Sequence, residues 1–273
     1  MSNYDLIAFD MDGTLLNSQK QITKDTLDMI SLAEANGKAV CLSTGRCMPE
    51  LNEHIPNIPG LRYIIGDSGT FVRDLKTEKN IFSSPLPVEI ASEILRRVRE
   101  SGEDLMLHIH SERSIVQRSH VLNMADYNMG IYQKMFERVC FMPENIIDFF
   151  LSAPFAPNKV NLYCRETKQR ERMHRLLSDL TLDFTYVEGL ALECTPVETS
   201  KGKGLLGLCD HLGIPIERSI AVGDADNDLE ILSCAGLAVA MGNANDNVKA
   251  LADVVVADND HDGCAEAIRR FLL

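Results

Sequence analysis

The stretch "LIAFDMDGTLLNS", Leu6 to Ser18, begins with four apolar residues and then turns abruptly to Asp10, Met11, Asp12 and Gly13. A short continuous apolar run bounded by turn residues reads as a buried strand of a parallel sheet. Two acids at the end of such a strand are costly unless they have a task. Residues two apart face the same side, so Asp10 and Asp12 can both face the crevice beyond the strand's carboxyl end, where open parallel sheets bind ligands. Gly13 permits the tight backbone that follows. Taken alone, D-x-D-G also reads as an Asp-rich turn or a helix cap.

Strand candidates recur with helical segments between them. Leu6 to Phe9, Ala39 to Leu42 and Tyr63 to Ile65 are apolar runs, and Thr23 to Asn36 sets Leu27, Ile30, Leu32 and Ala33 at roughly helical spacing before a stop at Asn36 and Gly37. That makes a β-α-β unit. Near the C-terminus "SIAVGD", "GLAVAM" and "DVVVAD" repeat the pattern, with helices starting at Ser200, Asp226 and Asn245. The middle differs. After a helix at Val88 to Arg99 come the alternating "DLMLHIH", the strand-like "KVNLYC" and a charged helix at Glu166 to Asp179, which predict an antiparallel sheet with one face covered and one face free. The expected architecture is α/β: a Rossmann-like, mostly parallel sheet with helices on both faces in residues 1–84 and 193–273, carrying an inserted α+β cap domain in residues 85–192.

Composition narrows the function. Of 273 residues, 27 are Lys or Arg and 40 are Asp or Glu, a formal net charge of -13. Such a surface opposes a nucleic-acid partner, whose counterions must be replaced by basic groups. A phosphorylated small molecule would need local cationic help from a metal, Lys or Arg. Met1 to Asp5 lack the basic start of a secretory signal, and no apolar run nears the roughly 20 residues that span a bilayer, so a cytoplasmic protein with no membrane partner is expected. The eight cysteines form no C-x-x-C pair and read as small apolar residues in a reducing compartment.

Three further segments carry chemistry. "SIAVGDADND" ends another apolar strand in Asp224, Asp226, Asn227 and Asp228. If that strand neighbours the first, four or five carboxylates converge and repel one another without a cation, and a hard divalent ion with oxygen ligands, Mg²⁺, resolves the conflict. "CLSTGR" ends a third strand and offers the Thr44 hydroxyl, the Gly45 amide and the Arg46 charge, a set suited to phosphate although S-T-G is also common turn chemistry. "ETSKGKGL" lacks the spacing of a nucleotide-cradling loop. With Ser200 as N-cap, Lys201 shares a helix face with Leu205, Leu208 and Leu212 and can reach inward, whereas Lys203 points to solvent. Together these parts describe phosphoryl transfer: one carboxylate attacks phosphorus, a second protonates the leaving oxygen and later activates water, and Mg²⁺ with Lys201 offsets charge. Asp10 and Asp12 suit these two roles.

At these residues the sequence resembles the haloacid dehalogenase superfamily of phosphatases. "DMDGTL", "STGR", Lys201 in "SKGKG" and "GDADND" are similar to its four motifs, in order, and the tail from Ala238 resembles the Cof-type branch, whose large cap lies between the second and third motifs. The resemblance implies that Asp10 is the nucleophile and a Mg²⁺ ligand, and that Asp12 is the acid/base, its carbonyl also on the metal. Asp224 would be the third protein ligand and Asp228 the acid that holds the metal's waters. Thr44, Gly45, Lys201, Asn227 and the Met11 amide would contact phosphate. One departure stands out: Ser68, Gly69 and Thr70 replace the family's usual Asn-Gly-Ala.

In the cap, His108 and His110 share a strand face, with Arg113, Arg118 and His120 nearby in sequence. An H-x-H pair can ligate zinc, but no third ligand stands at a suggestive spacing; a solvated strand face or a substrate-facing wall is the competing reading. Arg46, His108, Arg113 and Arg118 are the candidates for meeting the organic part of the substrate. The expected activity is a Mg²⁺-dependent phosphatase of small phosphorylated metabolites such as sugar phosphates. A phosphomutase-type transferase and a non-catalytic phosphometabolite sensor on the same fold are the alternatives.

Overall fold

A computed structural model describes residues 3–187 and 190–273. The chain divides into two compact units, one formed by Met1–Gly45, Glu53–Ser83 and Ser200–Leu273, the other by Arg46–Asn52 and Ser84–Thr199. Numbered along the chain, the strands begin in the first unit with β1 (Leu6–Phe9), β2 (Ala39–Ser43), β3 (Tyr63–Gly66), β4 (Phe71–Asp74) and β5 (Lys79–Ser83). The second unit holds β6 (Met106–His110), β7 (Ser114–Val116), β8 (Cys140–Phe141), β9 (Lys159–Tyr163), β10 (Asp183–Val187) and β11 (Ala191–Thr195). The chain returns to the first with β12 (Ser219–Gly223), β13 (Leu237–Ala240) and β14 (Val254–Val255).

The first unit's sheet has the order β14-β13-β12-β1-β2-β3-β4-β5. It is parallel from β14 to β3, and the β4–β5 hairpin adds an antiparallel edge. β1 lies in the middle, with Phe9 level with Val222 of β12 and Leu42 of β2. The residues that follow these three strands therefore emerge side by side. Leu6, Ala8, Cys41, Tyr63 and Ile65 pack with Leu205, Leu208 and Cys209 of the helix Lys201–Leu212. On the sheet's other side the helix Lys24–Ala35 contacts β2. Thr23 caps that helix by accepting from Thr26 N, as Ser200 caps the other by accepting from Lys203 N. Ile30 and Ala33 are buried as expected, but Leu32 is exposed, because two residues past Ile30 is more than half a turn around the helix.

The second unit's sheet has the order β10-β11-β9-β6-β7-β8 and is antiparallel except at β7–β8. Leu107, Ile109, Val160 and Leu162 pack on one face with side chains of the helices Val88–Ser101, Ile146–Ser152 and Thr167–Leu177. The opposite face is not free. β6, β9 and β11 are buried at every position. Short helical turns between Arg118 and Val139 bring Val121, Met124, Tyr127 and Phe136 onto Met106, Val116 and Tyr163. Pieces this short carry no helical period, which is why the sequence does not announce the cover. The boundary expected at residue 192 falls inside β11, which stays with the second unit because it pairs with both β9 and β10. Among the described residues no helix is long and apolar enough to cross a membrane.

Candidate active site

The first unit gathers Asp10, Asp224, Asp228 and Lys201 at the carboxyl ends of β1 and β12. Asp10 follows β1 directly, and its amide extends the ladder by donating to Val222 O at 2.9 Å. Lys201, the first residue of its helix, places Nζ 2.5 Å from Asp10 Oδ1 and 2.6 Å from Asp228 Oδ1. All three side chains are buried. Asp228 Oδ2 accepts from the amides of Asp224 and Ala225 at 3.0 and 3.2 Å, which folds the loop after β12 around its own acid. One carboxylate oxygen from each of Asp10, Asp224 and Asp228 lies within 4.8 Å of the others.

Three carboxylates and one lysine leave this small volume short of positive charge. Burial pushes the Asp10 carboxyl well above the usual carboxylate range, the Asp228 and Asp224 charges add to the rise, and Lys201 opposes it. Burial likewise pushes Asp224 up to about 6, against a hydrogen bond from Thr14 and with a contribution from Asp228. Burial would lower the Lys201 ammonium, but the Asp10 and Asp228 charges outweigh it and hold the pKa above normal. An oxygen-only set with raised carboxyl pKa values fits a hard divalent cation.

Asp12 stands apart from the cluster by its side chain, which is partly exposed and 2.9 Å from Lys20 Nζ. Met11 between the two acids is fully buried, and its carbonyl accepts from Leu16 N at 2.9 Å, closing the turn. Thr44 and Gly45 follow β2. Thr44 is buried, its amide donates to Ile65 O at 2.8 Å, and its carbonyl accepts from Ser68 N at 3.0 Å. Asn227 is exposed in the turn Asp226–Asp228.

Several residues that build this site carry no role in the sequence reading. Thr14 Oγ1 donates to Asp224 Oδ1 at 2.7 Å, Asn243 Nδ2 to Gly13 O at 2.8 Å, and Asn245 N to Asp224 O at 3.0 Å. Asn245 and Asn247 both donate to Asp226 Oδ1, at 2.9 and 3.1 Å, so Asp226 organises the loop. Their signal lies in the alternating asparagines of "GNANDN". The departure at Ser68-Gly69-Thr70 has a structural place as well. Gly69 has φ +100°, and a Cβ there would sit 2.0 Å from Ser200 O, so this turn packs against the first residues of the Lys201 helix.

The cap candidates lie in the second unit, each engaged by a different neighbour. Arg46 Nη1 is 3.6 Å from Met135 Sδ, Arg113 stacks on the Phe141 ring at 5.4 Å, and Arg118 Nε is 3.0 Å from Glu144 Oε1. His108 and His110 are only 1% and 2% exposed, which overturns the solvated-face reading. Burial lowers the pKa of both far below the usual histidine value, with Lys159 adding to the effect.

A strand-end cluster of acids with an inward lysine thus stands on the parallel sheet of the first unit. The model of haloacid dehalogenase-like hydrolases matches residues 7–268, and the chain belongs to that family. It is 28% identical over 281 residues to 5-amino-6-(5-phospho-D-ribitylamino)uracil phosphatase YitU of Bacillus subtilis, covering 97% of each chain. It is 26% identical over 281 residues to pyridoxal phosphate phosphatase YbhA of Escherichia coli, covering 98% of each. A haloacid dehalogenase-like hydrolase from B. subtilis superposes with a TM-score of 0.85 at 23% identity, over 97% of this chain and 99% of that one. The protein is a phosphatase, a phosphoric monoester hydrolase acting on phosphorylated substrates.

Proposed function

We propose that this phosphatase hydrolyses small phosphorylated metabolites, sugar phosphates among them, in two steps on Asp10 and Asp12 with Mg²⁺ as cofactor. The observation that carries this reading is the Asp10–Lys201–Asp228 chain of contacts beside Asp224. In the first step Asp10 Oδ attacks phosphorus, the bond from phosphorus to the substrate oxygen breaks, and Asp12 gives that oxygen a proton. In the second, Asp12 takes a proton from water, the water oxygen attacks phosphorus, and the Asp10 carboxylate and inorganic phosphate are released.

Lys201 holds Asp10 in place and offsets the charge of the transferring oxygens. Thr44, Gly45, Asn227 and the Met11 amide supply hydrogen bonds to phosphate. Asp10, Asp224 and Asp228, with the Asp12 carbonyl, are the residues that would hold Mg²⁺. When bound, the ion supplies Lewis-acid neutralisation of the phosphoryl oxygens. The partial exposure of Asp12 supports its role, since an acid/base must exchange protons with both leaving group and solvent.

The names of two relatives, each for a phosphomonoester of a small polar or heteroaromatic molecule, support a metabolite substrate. Phosphate release over a panel of sugar phosphates and cofactor phosphates, with and without Mg²⁺, tests the reading. Mg²⁺-dependent release that is lost in Asp10→Asn is expected. Transfer to an added sugar without release into water would favour a mutase, and no turnover on any ester would favour a sensor.

A further inference from the structure

We infer that Cys47, Glu50, His108 and His110 of the second unit form a four-ligand site for a borderline divalent transition-metal ion of the zinc class. From sequence the H-x-H pair stands without further ligands. The fold supplies them from sixty residues away. Cys47 is the N-cap of the turn Met48–Leu51, which contains Glu50, so the thiol and the carboxylate lie three residues apart on one helical face. His108 and His110, two apart on β6, share one strand face. One ligand atom from each of the four lies within 4.8 Å of the others, and all four residues are buried. A tetrahedral zinc ion with nitrogen and sulfur ligands sets neighbouring donors roughly 3.3–3.8 Å apart, a contraction within reach of rotamer adjustments.

The donor chemistry selects the metal. Thiolate and imidazole favour zinc-like ions over Mg²⁺ or Ca²⁺, which take oxygen ligands. One thiolate, one carboxylate and two neutral imidazoles carry two negative charges, so a divalent ion makes the buried set neutral, whereas the neighbouring Lys159 is already paired with Glu193. Two further observations point to a ligand. The Nδ1 of His108 is buried with no hydrogen-bond partner among the described residues, an expensive state for an imidazole nitrogen. On the same ring, Nε2 lies 2.7 Å from Ser114 Oγ, which itself lies 3.3 Å from Glu50 Oε1; one hydroxyl thus fixes two of the four donors, as outer partners of metal ligands do. A bound ion would pin the segment Arg46–Asn52 to β6, stiffening the second unit.

Cobalt(II), a coloured substitute for zinc, tests the site in the full-length protein after chelation, with excess Mg²⁺ present to fill the carboxylate cluster. One equivalent is expected to bind with thiolate-to-cobalt charge transfer and intense tetrahedral bands, to be displaced by Zn²⁺, and to do the same in Asp10→Asn. Cys47→Ser is expected to abolish the charge-transfer band, and His110→Gln to weaken cobalt binding at least tenfold. X-ray absorption of the zinc-loaded parent, which needs no variant, should show one sulfur and three nitrogen or oxygen neighbours. A six-coordinate oxygen shell, a spectrum without thiolate character, or a charge-transfer band surviving in folded Cys47→Ser overturns the assignment.

Discussion

A Cβ on Gly13 would lie 2.4 Å from Asp224 Oδ2, so the turn after the first pair of acids and the carboxylate beyond β12 occupy adjoining space. Gly13 also has φ +87°, where an L-residue costs roughly 1–2 kcal/mol. Gly13→Ala is expected to displace Asp224 and to reduce phosphate release at least about tenfold, with a fall in stability of that backbone cost. Parent-level turnover in a steady-state assay would sink the argument that the turn holds the carboxylate.

Asp10→Asn and Lys201→Met should differ sharply in stability. Removing the Asp10 charge relieves three crowded carboxylates, so without divalent cation the denaturant midpoint at alkaline pH should match or exceed the parent's, while phosphate release falls at least about 10³-fold. Lys201→Met leaves Asp10 and Asp228 buried without their cation, a loss of about 3–5 kcal/mol, lessened where Asp10 takes up a proton. Urea titrations of both variants decide it; destabilisation by Asp10→Asn would show that the carboxylate contributes more to the fold than it costs.

The pH dependence has a definite sign. Asp10 and Asp224 have folded-state pKa values above their unfolded ones, Asp224 at about 6, so the native state binds protons more tightly. The stability they contribute is full below the unfolded value and is lost as pH rises through the folded one. In the absence of divalent cation, Tm should therefore fall as pH climbs from about 4 to about 7. On the proposed reading Mg²⁺ binds the ionised carboxylates, so it should raise Tm more at about pH 7.5 than at about pH 5. A Mg²⁺ shift of equal size at both would count against the carboxylate cluster as its site.

Asp12→Asn is expected to separate catalysis from stability. Its side chain lies outside the buried cluster, paired with Lys20 near the surface, so stability should change by less than about 1 kcal/mol. If Asp12 is the proton donor as proposed, its loss should lower phosphate release by about 10²–10⁴-fold for poor leaving groups and less for an aryl phosphate, whose oxygen leaves unprotonated. Equal losses on both substrates would argue against the acid role.

At the Ser68-Gly69-Thr70 turn, restoring the family's residues should stabilise the protein. Thr70 Oγ1 is buried without a hydrogen-bond partner among the described residues, so Thr70→Ala should gain about 1 kcal/mol. Ser68 has φ +60°, a conformation Asn tolerates better, and Ser68→Asn should add a few tenths of a kcal/mol. Calorimetry on each variant checks this; a lower Tm for Thr70→Ala would mean that the hydroxyl is satisfied in solution.

The strand ends were legible because each local signal agreed with the next. β1 matches the expected Leu6 to Phe9, and both Thr23 and Ser200 cap the helices read from them. The β4–β5 hairpin leaves no such signal, since its exposed edge strand lacks a hydrophobic pattern, and neither do the short turns that close the second face of the cap sheet. Thr14 and the asparagines are not legible in the sequence because they act through Asp224, Gly13 and Asp226, and a supporting hydrogen bond leaves no spacing rule in the chain.

Sequence alone determined the α/β character of the first unit, the order of its acids and the lysine that turns inward, because strand alternation and helical period are local properties of the backbone. Only the tertiary structure decided which acids share a volume: Asp228 meets Lys201 while Asp12 turns to Lys20. It also decided that Cys47 and Glu50 meet His108 and His110. Such meetings depend on how strands are ordered and helices packed across long separations, and burial then converts an ordinary carboxyl or imidazole into one with a shifted pKa.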